Sequence, residues 1–286
     1  MGKAAALQRA TVAEADLQDV LNEDFTFELE QSLKLLNARI RALFREFEAE
    51  GGRLVSTAAN LGRAIQLRAD LRDAIRESGF AEVAERAIDA PLDRLAAEVL
   101  KHSRIAAKAA DLTPFNIDAL AAFKELRLAE LLDIGEDVAT ELWRLTLDGV
   151  TGSRPLGVIL TDVEDALDAV ASEARTVYDT AVSSYSRQVE QLQASGDPDE
   201  LFLYAGPADI KNREFCKDRV GKVFSRDEID EMDNGQLPNV MLTGGGYNCR
   251  HAWKRVSILD EELRELAGTG KRLPEVDARL SEQGAS

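Results

Sequence analysis

The chain is poor in cysteine, histidine and aromatic residues. Its 286 residues include two cysteines and two histidines. Two cysteines do not make a disulfide framework, so the fold must rest on a buried core, and the pair is expected free or metal-bound in a reducing compartment. Aromatic residues make up only 6%, while alanine and leucine abound, which favours helices over sheet sandwiches because both residues have high helix propensity. No apolar run reaches the roughly 20 residues that cross a bilayer, so no membrane association is expected. The opening Met1-Gly-Lys-Ala-Ala-Ala has neither the apolar stretch of a secretory signal nor the Ser or Thr of a myristoylation pattern. A soluble chain made in a cytoplasm is expected.

What the chain has in excess is negative charge. Hydrophobic residues reach 45%, enough for a core of one large domain or two ordinary ones, and the net charge is −17. The acid is unevenly placed. Residues 201–257 carry nine Lys/Arg against eight Asp/Glu, whereas the remainder balances at −18. Such a helical surface repels phosphate backbones, so strong non-specific DNA binding is not expected there.

Helical periodicity dominates the first two thirds. Leu29, Leu33, Leu36, Ile40, Leu43 and Phe47 recur at spacings of 4, 3, 4, 3 and 4 within a helix predicted over 16–50. Gly51-Gly52 breaks it. Helices are predicted over 54–77, 80–110 and 115–148, then a loop from Gly149 to Pro155. A last helix is predicted over 161–194, opened by a Thr161/Glu164 capping box. Val163, Leu167, Val170, Ala174, Val177 and Ala181 repeat the same spacing, continued by Tyr185 and Leu192. The stripes call for packing within the chain or self-association with a second subunit.

The character changes after Pro198. Leu201–Tyr204, Lys222–Phe224 and Ala252–Val256 read as short strands. Ser225 and Glu228 form a capping box for a short helix ending at Asn234-Gly235. The predicted fold is therefore mainly α: an elongated helical bundle over 1–198, a small C-terminal α+β module over 199–257, and a short helix with a frayed polar tail over 258–286. A module of this size often needs a staple.

Both cysteines and His251 lie in that module. Cys249-x-His251 on extended chain puts two side chains on one face, and Cys216 can join them from the far end. Two thiolates and an imidazole are good zinc ligands, with Asp209, Asp218 or water as the fourth. The same residues also fit a packed reduced pair beside a hydrogen-bonded histidine, or a disulfide formed after lysis. A Cys–His nucleophile is the enzymatic alternative, without an evident orienting group. Gly244-Gly245-Gly246 reads as a turn delivering Tyr247 and Cys249, not as a phosphate loop. The acidic run Asp227–Asp233 fails as a calcium loop, because Met232 and Met241 would fall at ligand positions. Asp209 is expected to pair with Arg213, and His102 to be an exposed helix residue.

The order Tyr204-Ala-Gly206-Pro207-x-Asp209-x-x-x-Arg213-x-Phe215-Cys216, then Gly221-Lys222-Val-Phe, Glu228-Ile229 and Asn234-Gly235-Gln236, closing with Gly244-Gly-Gly-Tyr-Asn-Cys-Arg-His251-x-Trp253, resembles the C-terminal module of phage head morphogenesis proteins, the Mu F-like minor head proteins. The resemblance covers about 200–256. Upstream it extends weakly to Gly152-Ser-Arg and Asp179-Thr180, with no match over 1–110. Lys211-Asn212-Arg213 departs from the usual Thr-Arg.

The resemblance implies a non-enzymatic structural minor head protein of a tailed phage. It would be assembled in the host cytoplasm and reside in the virion, inside the head or at the portal vertex. Its partners would be the portal or other capsid proteins, with packaged DNA nearby. Gly206, Asp209, Arg213, Gly221, Gly245, Gly246, Tyr247 and Trp253 are then structural motif positions, with Cys216, Cys249 and His251 as candidate zinc ligands. The other function classes are a Cys/His enzyme or effector, and a zinc-stapled adaptor outside any virion.

Overall fold

The protein is mainly α-helical with a small C-terminal sheet, in a computed structural model that describes residues 3–106, 113–193, 200–256 and 261–284. The long helices are α1 (Lys3–Phe44), α2 (Ala58–Glu77), α3 (Phe80–Ala106), α4 (Pro114–Thr151) and α5 (Leu156–Leu192). Two two-residue strands, β1 (Ala49–Glu50) and β2 (Arg53–Leu54), pair antiparallel between α1 and α2. The C-terminal third holds β3 (Leu201–Ala205), α6 (Glu214–Arg219), β4 (Val223–Ser225), α7 (Arg226–Asp230), α8 (Val240–Thr243), β5 (Ala252–Val256), α9 (Glu261–Leu266) and α10 (Pro274–Gly284). No helix among the described residues is long and apolar enough to cross a membrane.

The chain forms two compact units. One comprises Asn22–Ile88 and Leu126–Tyr178; the other comprises Met1–Leu21, Asp89–Glu125 and Asp179–Ser286. The leucine stripe of α1 lies in the first. Leu29, Leu33, Leu36 and Ile40 are buried, and Phe44 takes the core position expected of Leu43. Phe25 stacks on Tyr178 at 4.2 Å, and the Tyr178 hydroxyl donates to the Ala87 carbonyl at 3.1 Å. Both apolar stripes are thus spent largely inside the chain, with Val177 and Leu192 half-buried.

Several predicted boundaries move, each for a local reason. Helix α1 stops at Phe44 rather than running to 50, because Gly51 and Gly52, at φ +59° and +79°, close the hairpin of β1 and β2. Helix α4 continues through Gly149 to Thr151, since the missing Cβ at Gly149 leaves room for Ile159. Helix α5 begins at Leu156, so Thr161 is no cap. Its hydroxyl donates back to the Gly157 carbonyl at 3.1 Å inside the helix. Pro155, bridged to Arg53, sets the earlier start. The predicted ends at 110 and 194 lie outside the described residues.

In the second unit the sheet order is β4-β3-β5, antiparallel throughout, with Phe202 opposite both Phe224 and Arg255. The Ser225/Glu228 capping box forms as read, but α7 ends at Asp230, short of Asn234. The core gathers Phe202, Tyr204, Val220, Ile229, Trp253 and Val256 with Ala4 and Leu7 from α1, Leu263 from α9, Leu273 just before α10 and Val276 from α10. The tail predicted to be frayed is therefore helical to Gly284, and its apolar face is part of the core.

Candidate metal centre

Strand β3 and the extended run leading into β5 converge on one point. Cys249 and His251 precede β5 rather than lying on it, yet their side chains face the same way, and Cys216 meets them from α6. The two Sγ atoms are 3.8 Å apart, and Cys249 Sγ is 3.8 Å from His251 Nδ1. The three donor atoms all lie within 4.8 Å of one another, so the group can hold a metal ion. All three residues are buried, with both thiols free.

The surroundings fix each donor. His251 places Nε2 2.9 Å from the Pro207 carbonyl oxygen. A carbonyl only accepts, so Nε2 carries the hydrogen and Nδ1 presents its lone pair to the sulfurs, the arrangement typical of a metal-ligating histidine. Gly245 N–H donates to Cys249 Sγ at 3.1 Å. A Cβ on Gly245 would overlap Cys216 Sγ, and one on Gly206 would come within 2.7 Å of the His251 ring. Gly206 itself is held from α1: Gln8 Nε2 donates to its carbonyl at 2.6 Å, and its N–H donates to Gln8 Oε1 at 3.4 Å.

Tyr204, at 0% exposure, points its hydroxyl at both sulfurs, 3.4 Å from Cys216 and 3.5 Å from Cys249. Its ring stacks on His251 at 5.2 Å and packs on Trp253 at 4.3 Å. Arg187 of α5 is 2% exposed and binds three carbonyls: His251 through Nε at 2.8 Å, Leu242 through Nη1 at 3.2 Å, and Cys249 through Nη2.

The two thiols are hydrogen-bonded to each other. The hydrogen bond with Cys249 and burial push Cys216 far up. That same bond holds Cys249 well below the ordinary thiol value against its burial, helped by the Arg187 charge and by His251. Burial, and then the sulfur charges, raise the Tyr204 phenol well above its ordinary value. A thiolate beside an imidazole also has the makings of a nucleophile, but Cys249 and His251 are 4% and 3% exposed.

The remaining motif residues build the walls. Arg213 donates to the carbonyls of Gly245, at 3.0 Å, and of Tyr247, rather than pairing with Asp209. Asp209 instead takes Arg250 at 2.6 Å, an ion pair spanning 41 positions that reading neighbours in sequence could not find. Neither Asp209 nor Asp218 joins the three donors. Asn234 Nδ2 donates to the Gly244 carbonyl at 2.9 Å, and Gln236 Oε1 accepts from Tyr247 N–H at 3.0 Å beside Gly246. Gly221 lies against Val276 and donates its N–H to the Tyr204 carbonyl at 2.8 Å. Trp253 Nε1 donates to the Val240 carbonyl at 3.0 Å.

A second buried cluster escaped sequence reading. Lys254 of β5, 1% exposed, reaches Glu14 of α1 at 2.7 Å and Glu190 of α5. His102 of α3, expected on the surface, is buried; its Nδ1 lies 2.9 Å from Glu14 and its Nε2 3.0 Å from Glu98. Burial opposes the charge on Lys254 and on Glu14, yet their mutual attraction prevails. Lys254 sits above the ordinary lysine value, and Glu14, with His102 also helping, below the ordinary carboxylate value. The signal available was a lysine in the middle of the strand Ala252–Val256, next to Trp253.

In the other unit a depression of about 390 Å³ is lined by Glu46, Glu48, Asn60, Arg63 and Asp70. Asn60 is spent on the Glu48 and Val55 carbonyls, and Arg63 is tied to Glu46. No family model, curated protein or solved structure matches the chain.

Proposed function

We propose that the chain is a structural minor head protein of a tailed phage, without catalytic activity, whose C-terminal module is stapled by zinc at Cys216, Cys249 and His251. The observation that carries the reading is the use made of the motif that resembles Mu F-like head proteins. Gly206 and Gly245 make room for His251 and Cys216, Arg213 and Asn234 hold the glycine loop, and Trp253 is anchored beneath it. These motif residues are spent on holding backbone or packing core, as a scaffold role requires.

Zinc suits the donor set because thiolate and imidazole are its preferred ligands, and the tautomer of His251 is already set for it. The partners in this reading are the portal or other capsid proteins, and the acidic helices keep the protein from adhering to packaged DNA. Quantitative mass spectrometry of purified particles, normalised to the portal protein, tests the virion role. A few to about a dozen copies per particle are expected, as for a low-copy component of closed symmetry; absence from heads at every assembly stage overturns it. Metal analysis of the full chain purified under reductant tests the staple, with one zinc per chain expected and none in Cys249→Ser.

A further inference from the structure

We infer that the Tyr204 hydroxyl oxygen, as phenolate, is the fourth ligand of this centre, closing it into a tetrahedral site of two sulfurs, one nitrogen and one oxygen. The inference rests on the zinc reading above.

The argument is first one of distances. Zinc bonds of ~2.3 Å to sulfur and ~2.0 Å to oxygen or nitrogen, at tetrahedral angles, place two sulfurs ~3.8 Å apart and a sulfur ~3.5 Å from an oxygen. The sulfurs are 3.8 Å apart, and Tyr204 Oη stands 3.4 and 3.5 Å from them. The hydroxyl therefore stands from both sulfurs at the spacing that two ligands of one tetrahedral centre keep. Tyr204 has no freedom to leave this position. Its ring is clamped between His251 and Trp253, it is fully buried, and the two sulfurs are the partners its hydroxyl finds.

Charge points the same way. Zinc, two thiolates and a neutral imidazole sum to zero. Arg187 adds a buried positive charge, and among the described residues it meets carbonyls but no carboxylate. An uncompensated buried charge is costly. A phenolate at Tyr204 supplies the missing negative charge and leaves the whole buried group neutral. On binding, zinc displaces the protons held by the two sulfurs and the phenol oxygen; they pass to solvent, and His251 donates a lone pair without losing one. Four protein ligands leave no open position, which is the mark of a structural rather than a catalytic zinc.

The test uses the full chain, reduced and stripped by a chelator, with zinc alone as the probe. Three quantities are read: zinc bound per chain, affinity by competition with a chromophoric chelator, and the near-ultraviolet difference band of an ionised phenol. Wild type should bind one zinc and show the band. Tyr204→Phe should bind zinc about 10- to 100-fold more weakly and lack it, while Tyr247→Phe keeps it. Zinc binding by wild type without the band, or unchanged affinity in Tyr204→Phe, overturns Tyr204 as ligand and leaves the zinc reading standing. No zinc bound by wild type overturns both. The wild-type difference spectrum decides the matter even where Tyr204→Phe does not fold.

Discussion

Gly206 is pressed against the imidazole of His251: a methyl group on its Cα would stand 2.7 Å from Cδ2 of that ring. Its φ of +153° adds a backbone conformation that side chains resist. Gly206→Ala should therefore displace His251 and cost about 1–3 kcal/mol by overpacking. The measurement is urea unfolding together with zinc affinity, and both should fall. Unchanged values would mean that the imidazole has slack the geometry does not reveal.

The cluster of Lys254, Glu14 and Glu190 makes a sharper demand. Removing the lysine in Lys254→Met takes away the cation that two buried carboxylates share and should cost about 3–5 kcal/mol. The triple change Lys254→Met, Glu14→Gln, Glu190→Gln should recover part of that loss, because the carboxylate charges are removed together with the cation they faced. Chemical denaturation of the single and triple variants separates a charge effect from a packing one.

The same cluster sets a pH window. Glu14 has its folded value depressed below 4.5, so its contribution is present above 4.5 and is lost as pH falls through the folded value. Lys254 has its folded value raised above 10.5, so its contribution is present below 10.5 and is lost as pH rises through the folded value. Stability from this pair should hold between those limits and decline on either side. Urea midpoints across the range, compared with the triple variant, should show the difference vanish at both extremes.

In the other unit, Gly149 of α4 lacks the atom that would strike Ile159 of α5. Gly149→Ala should destabilise by about 1–3 kcal/mol despite the better helix propensity of alanine. Ile159→Val in the same chain should restore part of the loss, since it removes the methyl in the way. A double-mutant cycle by thermal unfolding reads the coupling directly.

The helices were legible because their apolar positions repeat every 3.5 residues, and periodicity survives ignorance of the partner. The three strands and the Ser225 cap were legible for similar local reasons. Thr161 misled because a capping box is only two residues, and Pro155 offered an earlier start that depends on Arg53, a hundred residues away. The trio Cys216, Cys249 and His251 could be named from rarity and residue type. Tyr204 and Arg187 could not, since nothing in their neighbours distinguishes an aromatic or basic residue aimed at a centre from one filling a core. Asp209 was matched to the wrong arginine because Arg250 lies across the fold. His102 went unread because its partner Glu14 is 88 positions earlier.

The packing of Ala4, Leu7 and Gln8 with residues beyond 200 has a consequence for synthesis on the ribosome. Residues 22–88 and 126–178 emerge as a set that can close its own contacts while translation is still under way. The first turns of α1 must instead wait, with apolar side chains uncovered, until β3, β5 and the helices after them have been made. That delay spans most of the chain, and contacts of such long range are slow to form. Ala4, Leu7 and Gln8 thus leave the ribosome well before the elements that bury them.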